Sequence, residues 1–130
     1  MHALRGRVLV IDDQPAVAAA IRRLLATEHE AMMLTRAADA LPLLARGERF
    51  HAIVCDLMMP GFSGADLFLA LARDYPEQAA RVIFLTGGAY SAEMQAFLGG
   101  NQNPRVMKPF EGPKLRELVR AVVAIETPLG

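Results

Sequence analysis

The sequence is poor in several features, and each shortage argues against a class of protein. It holds one cysteine, so no disulfide can form within the chain and a reducing compartment is expected. Its 14 basic residues balance 14 acidic ones, whereas modules that bind nucleic acid or a membrane surface usually carry a basic excess. No apolar run approaches the roughly 20 residues that span a bilayer, and residues 1–7 lack the apolar core of a secretory signal. We therefore expect a cytoplasmic protein that contacts neither nucleic acid nor membrane.

The sequence also lacks internal repeats, low-complexity tracts and linkers rich in proline and serine. What it does have is 53% hydrophobic and 22% charged residues in a chain of 130, a composition that folds around a single core. We expect one domain over residues 1–130, with its core at about 6–126.

Short apolar runs rich in β-branched residues alternate with helical patterns. Their hydrophobicity is continuous, which is typical of strands covered on both faces in a parallel sheet. The runs are Val8–Ile11, Ala31–Leu34, Ala52–Cys55, Val82–Leu85 and Arg105–Met107. Helices are predicted after Pro15, around Asp39–Ala45, after Gly64, after the cap residue Ser91 and over the stripe from Leu115 to Val123. Five βα units predict an α/β fold with a doubly wound sheet and right-handed crossovers.

In such a sheet, ligands bind beyond the carboxyl ends of the strands. The residues at those positions form a coherent set. They are Asp12 and Asp13 after the first run, Asp56 after the third, Thr86, Gly87 and Gly88 after the fourth, and Lys108 and Pro109 after the fifth. Three carboxylates, one hydroxyl and one ammonium are therefore expected to converge.

These residue types suit phosphoryl chemistry. Neighbouring carboxylates repel one another unless a cation neutralises them, and Mg²⁺ takes one or two carboxylates while keeping several waters. Lys108 and Thr86 offer donors for phosphoryl oxygens, and Gly87 leaves the backbone uncrowded. Asp56 is the candidate nucleophile, because aspartate can form an aspartyl-phosphate.

Each of these residues alone has a simpler explanation. An aspartate pair after a strand is often a helix cap, a lone aspartate commonly belongs to a turn, and a Lys-Pro dipeptide says little. Cys55 is expected to be a core residue that faces away from Asp56, because neighbouring strand residues point to opposite faces. The histidines His2, His29 and His51 lack metal-ligand spacing and are expected to be surface or structural residues. Only the conjunction favours a phosphoryl site.

Four stretches carry that conjunction in a recognisable order: VLVIDDQP at Val8–Pro15, IVCDLMMPGFSG at Ile53–Gly64, VIFLTGG at Val82–Gly88 and VMKPF at Val106–Phe110. Together they resemble the receiver domain of bacterial two-component response regulators along nearly the whole chain. The resemblance implies a flavodoxin-like five-stranded parallel sheet in the order 2-1-3-4-5, with helices on both faces. It also implies a phosphorelay partner, either a histidine kinase or a histidine phosphotransfer domain, and Mg²⁺ as the cofactor, which Mn²⁺ can replace.

The resemblance further implies a role for each site residue. Asp56 would accept the phosphoryl group from a phosphohistidine. Asp13 and Asp56 would ligate Mg²⁺ directly, with Asp12 acting through water and the Met58 backbone carbonyl completing the protein ligands.

Other positions would assist the acceptor. Lys108 would pair with Asp56 at rest and with the phosphoryl group afterwards, and Thr86 would turn toward that group. Loops around the site would be shaped by Pro60, Gly61 and Pro109.

The sequence departs from the family at Arg105, where a tyrosine or phenylalanine is usual. That ring normally swings inward with Thr86, so the output of this domain is expected to differ. The segment Asn103–Phe110, together with Thr86–Gly88, resembles receivers attached to hybrid histidine kinases, which would make the chain the cytoplasmic part of a larger sensor. A stand-alone receiver is the other possibility. Met58 and Gly88 offer no side chain to orient an attacking water, so a long-lived phosphoform is expected. The oligomeric state is not specified.

Two alternatives to a phosphorylated receiver stay open. One is a phosphohydrolase that uses Asp56 transiently, although Leu57 and Met58 provide no general acid at the usual offset. The other is a docking receiver that has lost phosphorylation, which Arg105 would permit. We expect a phosphoacceptor rather than a metabolic enzyme.

Overall fold

The computed structural model describes residues 5–87 and 91–130, so Gly88 and His2 lie outside the described residues. A five-stranded parallel sheet forms its centre, in the order β2–β1–β3–β4–β5. The strands are β1 (Arg7–Ile11), β2 (Glu30–Leu34), β3 (Ala52–Asp56), β4 (Val82–Thr86) and β5 (Arg105–Met107). The predicted fold class is confirmed, and each predicted apolar run is a strand.

Helices connect the strands and cover both faces. They are α1 (Pro15–Leu25), α2 (Ala40–Ala45), α3 (Gly64–Asp74), α4 (Pro76–Ala79), α5 (Ala92–Gly99) and α6 (Gly112–Val123), with a 3₁₀ turn (Ala37–Asp39) before α2. Pro42 is the third residue of α2, where a missing N–H removes no helical bond because the first N–H groups of a helix have no partner inside it. The short α4 was not predicted. Within the described ranges, no helix is both long enough and apolar enough to cross a bilayer.

The core lies on both sides of the sheet, which explains the continuous hydrophobicity of the strands. Val8 and Val10 of β1 pack with residues of α1 and α6, whereas Leu9 and Ile11 pack on the opposite face with α2 and α3. Cys55 is buried on the second face, as the alternation predicted, and burial raises the pKa of its thiol.

A buried arginine closes the end of the sheet where the strands begin. Arg81 is 1% exposed and its guanidinium donates hydrogen bonds of 2.8–3.3 Å to four backbone carbonyls, those of His51, Val122, Ile125 and Thr127. Gln78 lies nearby, and its side chain binds the N–H and carbonyl of Phe50 and the carbonyl of Leu129. These bonds hold the segment after α6 against the amino end of the sheet.

Candidate functional site

Three carboxylates meet at the carboxyl end of the sheet. Asp12 and Asp13 follow β1, and Asp56 is the last residue of the neighbouring strand β3. Oxygens of the three side chains lie within 4.8 Å of one another. Asp12 is fully buried and Asp56 nearly so, whereas Asp13 is exposed. Since two of the three carboxylates are withdrawn from water, the cluster requires positive charge nearby.

Lys108 supplies part of that charge. Its Nζ lies 2.7 Å from Oδ2 of Asp12 and 3.2 Å from Oδ2 of Asp56. Burial acts to lower the pKa of Lys108, but the hydrogen bond to Asp12 and the charges of both aspartates outweigh it, and the pKa is raised. Among the residues that the structure describes, one ammonium faces three carboxylates, so the cluster retains an excess of negative charge.

The carboxylate of Asp56 is also held by its own loop. Its Oδ1 accepts a hydrogen bond of 3.2 Å from the N–H of Met58, while the Met58 side chain is 44% exposed. Burial raises the pKa of Asp56, Lys108 opposes this and the charge of Asp12 adds to it, so the net shift is upward. Asp56 therefore retains a proton more readily than an exposed aspartate does.

A glycine brings α3 against the backbone of Asp56. A Cβ built on Gly64 would lie 2.2 Å from the carbonyl oxygen of Asp56, a distance that real contacts do not reach. The helix begins there with a capping box, because the Ser63 hydroxyl accepts the N–H of Asp66 while the Asp66 carboxylate accepts the N–H of Ser63. Sequence reasoning placed a helix after Gly64 but missed this close approach, because a capping pattern marks where a helix begins and not how closely it packs.

Thr86 ends β4 and is buried close to Lys108. Its Oγ1 lies 3.5 Å from the carbonyl oxygen of Val106, so the hydroxyl is weakly engaged, and its own carbonyl accepts the N–H of Lys108 at 2.6 Å. A Cβ on Gly87 would meet the Lys108 side chain at 3.7 Å, an ordinary contact. In this conformation a side chain at position 87 would be tolerated, so the absence of one at Gly87 opens little extra space beside Lys108.

Loops flank the carboxylates on two sides. Gly61, next to Pro60, has a φ of +74°, in the left-handed region that glycine adopts without steric cost. Their loop borders a cavity of about 310 Å³ beside Asp13. On the other side, the peptide bond between Lys108 and Pro109 is cis.

The donor set fits a small, hard divalent cation. Carboxylate oxygens are the ligands that Mg²⁺ prefers, and three of them meet here with an uncompensated negative charge. The exposed Asp13 leaves one side of the cluster open to water, which suits an ion that keeps part of its hydration shell. The acidic pocket is thus compatible with a divalent metal site.

Comparison with known proteins agrees with this arrangement. Residues 8–120 match the family model of the response regulator receiver domain. The chain belongs to the response regulator receiver family. Its two-component signalling character and its fold therefore follow from membership as well as from the residues at the strand ends.

Named relatives of this receiver are regulatory proteins. It is 30% identical over 126 residues to the hydrogenase transcriptional regulatory protein HoxA of Bradyrhizobium diazoefficiens, covering 95% of this chain and 25% of that protein. It is 35% identical over 116 residues to the heme response regulator HssR of Staphylococcus aureus, covering 88% of this chain and 50% of that protein. The receiver thus spans half or less of the length of these curated relatives.

Solved structures share the fold. The receiver domain of the Francisella response regulator 1452 matches with a TM-score of 0.75 and 23% identity, covering 92% of this chain and 97% of that one. A CheY-like receiver domain protein from Methanospirillum hungatei JF-1 matches with a TM-score of 0.74 and 25% identity, covering 90% and 93%.

Arg105 lies away from the carboxylates of this receiver. Its guanidinium donates to the carbonyls of Leu98 and Asn101, at the end of α5. Aromatic contact between β4 and α5 comes instead from a cluster of three rings, with centroids 5.5–5.7 Å apart, formed by Phe68, Phe84 and Phe97. The sequence marked Arg105 as unusual but did not predict its partners, because they lie on another element.

Proposed function

We propose that this receiver accepts a phosphoryl group on Asp56 from the phosphohistidine of a histidine kinase or a histidine phosphotransfer domain. The observation that carries the proposal is the setting of Asp56. It is a nearly buried carboxylate with the ammonium of Lys108 at 3.2 Å and the carboxylates of Asp12 and Asp13 close by.

The transfer exchanges one bond for another. An oxygen of ionised Asp56 attacks phosphorus and forms the P–O bond of an aspartyl-phosphate. The P–N bond to the donor breaks, and its electron pair returns to the ring nitrogen. A neutral imidazole leaves when the other ring nitrogen carries a proton. Catalysis consists of positioning and charge neutralisation, because the protein performs little further covalent chemistry.

Lys108 and Thr86 stabilise the new group in this proposal. Lys108 is shared between Asp12 and Asp56 at rest, and after transfer it pairs with a phosphoryl oxygen. The hydroxyl of Thr86, which has only a long contact in the resting state, donates to a second oxygen.

The cation site completes the charge balance. Asp13 and Asp56 would hold Mg²⁺, or Mn²⁺ in its place, with Asp12 acting through water and the Met58 carbonyl as a further ligand. When bound, the ion supplies positive charge that neutralises phosphoryl oxygens and carboxylates alike. The excess of negative charge over Lys108 supports a cation here.

A groove beside Lys108 suits a protein donor. It has a volume of about 680 Å³ and is lined by α1, by the residue after β4 and by the segment after β5, namely Ala16, Val17, Ala20, Gly87, Lys108, Pro109 and Phe110. Small side chains on α1 allow another backbone to approach closely. We propose that the helix bearing the donor histidine packs in this groove, with its phosphoryl group directed at Asp56.

The architecture of the whole protein is a separate matter. The two curated relatives have the names of a transcriptional regulator and of a heme response regulator, and this receiver spans half or less of each. A hybrid sensor kinase stays a prediction that rests on Asn103–Phe110 together with Thr86–Gly88. The coding sequence around this receiver decides between these architectures.

Intact mass after incubation with acetyl phosphate tests the acceptor. Wild type, Asp56→Asn and Asp74→Asn are compared with Mg²⁺ and with EDTA, Asp74 being an exposed aspartate that pairs with Arg73 on α3. We expect a Mg²⁺-dependent gain of one phosphoryl group in wild type and Asp74→Asn, and none in Asp56→Asn. An equal gain in Asp56→Asn would move the acceptor elsewhere. A folded wild type that takes no phosphoryl group from acetyl phosphate or a phosphorylated histidine domain would contradict the proposal.

A further inference from the structure

Arg105 joins the edge strand β5 to the far end of α5. Its Nη1 donates to the carbonyl of Leu98 at 3.2 Å and its Nη2 to the carbonyl of Asn101 at 2.5 Å. The last carbonyls of a helix have no partner inside the helix and carry partial negative charge. The Leu98 carbonyl also accepts the N–H of Asn101, so the guanidinium adds a charged hydrogen bond to it and complements the partial negative charge at the helix end. Arg105 thus acts as a helix cap supplied by another element.

This cap is important because α5 is shallowly buried. No residue of Ala92–Gly99 is fully buried, and the contacts of the helix with the core come from the half-buried side chains Met94, Phe97 and Leu98. The ring of Phe97 lies 5.6 Å from that of Phe84 and 5.7 Å from that of Phe68, centroid to centroid. An element with so little burial opens easily, so the two charged hydrogen bonds from the exposed Arg105 add to what holds it.

The anchor of α5 and the acceptor site share two strands. Arg105 lies opposite Phe84 in the register of β4 and β5, and Thr86 follows Phe84 by two residues on the same face. Lys108 follows Arg105 by three residues, and its N–H binds the carbonyl of Thr86 at 2.6 Å. A displacement of the carboxyl end of β4 or β5 at the site would therefore also shift the paired residues Phe84 and Arg105 on the same two strands.

We propose that Arg105 is a positioning residue that locks α5 against the sheet, and that phosphorylation at Asp56 alters the strength of this lock. The second part rests on the proposed function. Because both bonds of the fork require good distance and angle, a small shift of β5 relative to α5 weakens them together. Linkage is reciprocal, so a state of the site that strengthens the lock is itself favoured by the lock.

Amide hydrogen exchange across Ala92–Asn101 measures the lock in the intact chain. The variants are Arg105→Met, which removes the donors, and Arg105→Lys, which keeps one charge without the fork. Arg73→Met is the matched control, because Arg73 is an exposed arginine that pairs with Asp74 on α3. Each is measured with EDTA, and again after acetyl phosphate and Mg²⁺.

In the unphosphorylated state, we expect exchange at the end of α5 to be about tenfold faster in Arg105→Met than in wild type. Arg105→Lys should restore part of the protection, and Arg73→Met should match wild type. Amides of β3 should keep their wild-type rates in every variant. The ratio between Arg105→Met and wild type should change when Asp56 is phosphorylated.

The possible failures are distinguishable. Equal α5 exchange in Arg105→Met and wild type without phosphate would overturn the lock, whatever Asp56 does. A uniform rise that includes β3 would also overturn it and assign Arg105 to general stability. A ratio that is unchanged by phosphorylation would contradict the coupling alone. If wild type takes no phosphoryl group, the proposed function fails while the result on the lock stands.

Discussion

The Nζ of Lys108 lies closer to Asp12 than to Asp56, at 2.7 Å against 3.2 Å. The resting lysine thus gives its shorter bond to the fully buried carboxylate and leaves the proposed acceptor less well compensated. Burial raises the pKa of Asp56 and outweighs the opposing effect of the Lys108 charge. The resting fold therefore disfavours a negative charge on Asp56, and a cation bound beside it would reduce that cost.

Asp56→Asn is expected to stabilise the metal-free receiver near neutral pH. The folded pKa of Asp56 lies above its usual 3.8, so folding favours the protonated form and the carboxylate destabilises the fold at pH values above the folded pKa. This penalty fades as the pH falls toward 3.8. We expect a higher free energy of unfolding than wild type at neutral pH and a smaller difference at about pH 4.

Urea unfolding in EDTA at both pH values measures this effect. Asp74→Asn is the control, because its exposed carboxylate has a pKa lowered by the hydrogen bond from Arg73 and its loss should not stabilise the fold. A larger gain at low pH than at neutral pH would reverse the sign argued for Asp56.

Gly64→Ala should destabilise the receiver and impair the acceptor together. The added Cβ would lie 2.2 Å from the carbonyl oxygen of Asp56, so α3 or the end of β3 must move. We expect a loss of about 2 kcal/mol or more, with slower phosphorylation in the fraction that folds. Gly99→Ala is the matched control, because its Cβ meets nothing within 4 Å and alanine favours a helix. Thermal unfolding and a phosphorylation time course measure the two effects, and equal behaviour of both variants would refute the close approach.

Arg81→Met should release the segment after α6. The carbonyls of His51, Ile125 and Thr127 lose this donor, whereas that of Val122 still accepts the N–H of Ile125. We expect a loss of about 3 kcal/mol because partly buried acceptors lose a charged hydrogen bond. Arg73→Met, at an exposed ion pair, should leave the stability close to that of wild type. Urea unfolding measures stability, and limited proteolysis reports on residues 124–130. Wild-type resistance to protease in Arg81→Met would show that other contacts hold the segment.

Met58→Asn should shorten the life of the phosphoform. The Met58 side chain is largely exposed beside the acceptor and its backbone N–H binds Asp56, so an amide placed there can orient water for attack on phosphorus. We expect hydrolysis to accelerate by roughly tenfold, followed by intact mass after the phosphodonor is removed. Met32→Asn, at an exposed position on β2, should keep the wild-type rate. A wild-type half-life of seconds without a phosphatase would contradict the expectation of a long-lived phosphoform.

Local patterns were sufficient to predict the strands. Continuous apolar runs locate strands buried on both faces, and parallel topology brings their carboxyl ends together, so Asp12, Asp56 and Lys108 could be grouped before any distance was known. Cys55 was placed in the core by alternation alone. The short helix α4 escaped prediction because four residues contain too little periodicity to distinguish a helix from a turn.

The partners of long side chains and the close contacts between backbones could not be predicted from the sequence. The targets of Arg81 and Arg105 depend on which carbonyls lie within reach of a flexible side chain, and these belong to distant parts of the chain. The shorter bond from Lys108 to Asp12 depends on differences of half an ångström. The role of Gly64 depends on how tightly two backbones meet, which composition and spacing do not encode.

The close contact between Gly64 and the backbone of Asp56 couples α3 mechanically to the end of β3. Since no room separates Gly64 from the carbonyl of Asp56, a movement of the acceptor's main chain cannot be absorbed where the helix begins. Eleven residues at a rise of 1.5 Å each form a rod of about 16 Å, and its far end is next to Tyr75, whose ring lies 5.0 Å from the guanidinium of Arg49. A displacement at the acidic end of the sheet would therefore arrive, as a tilt, at the opposite end of the molecule.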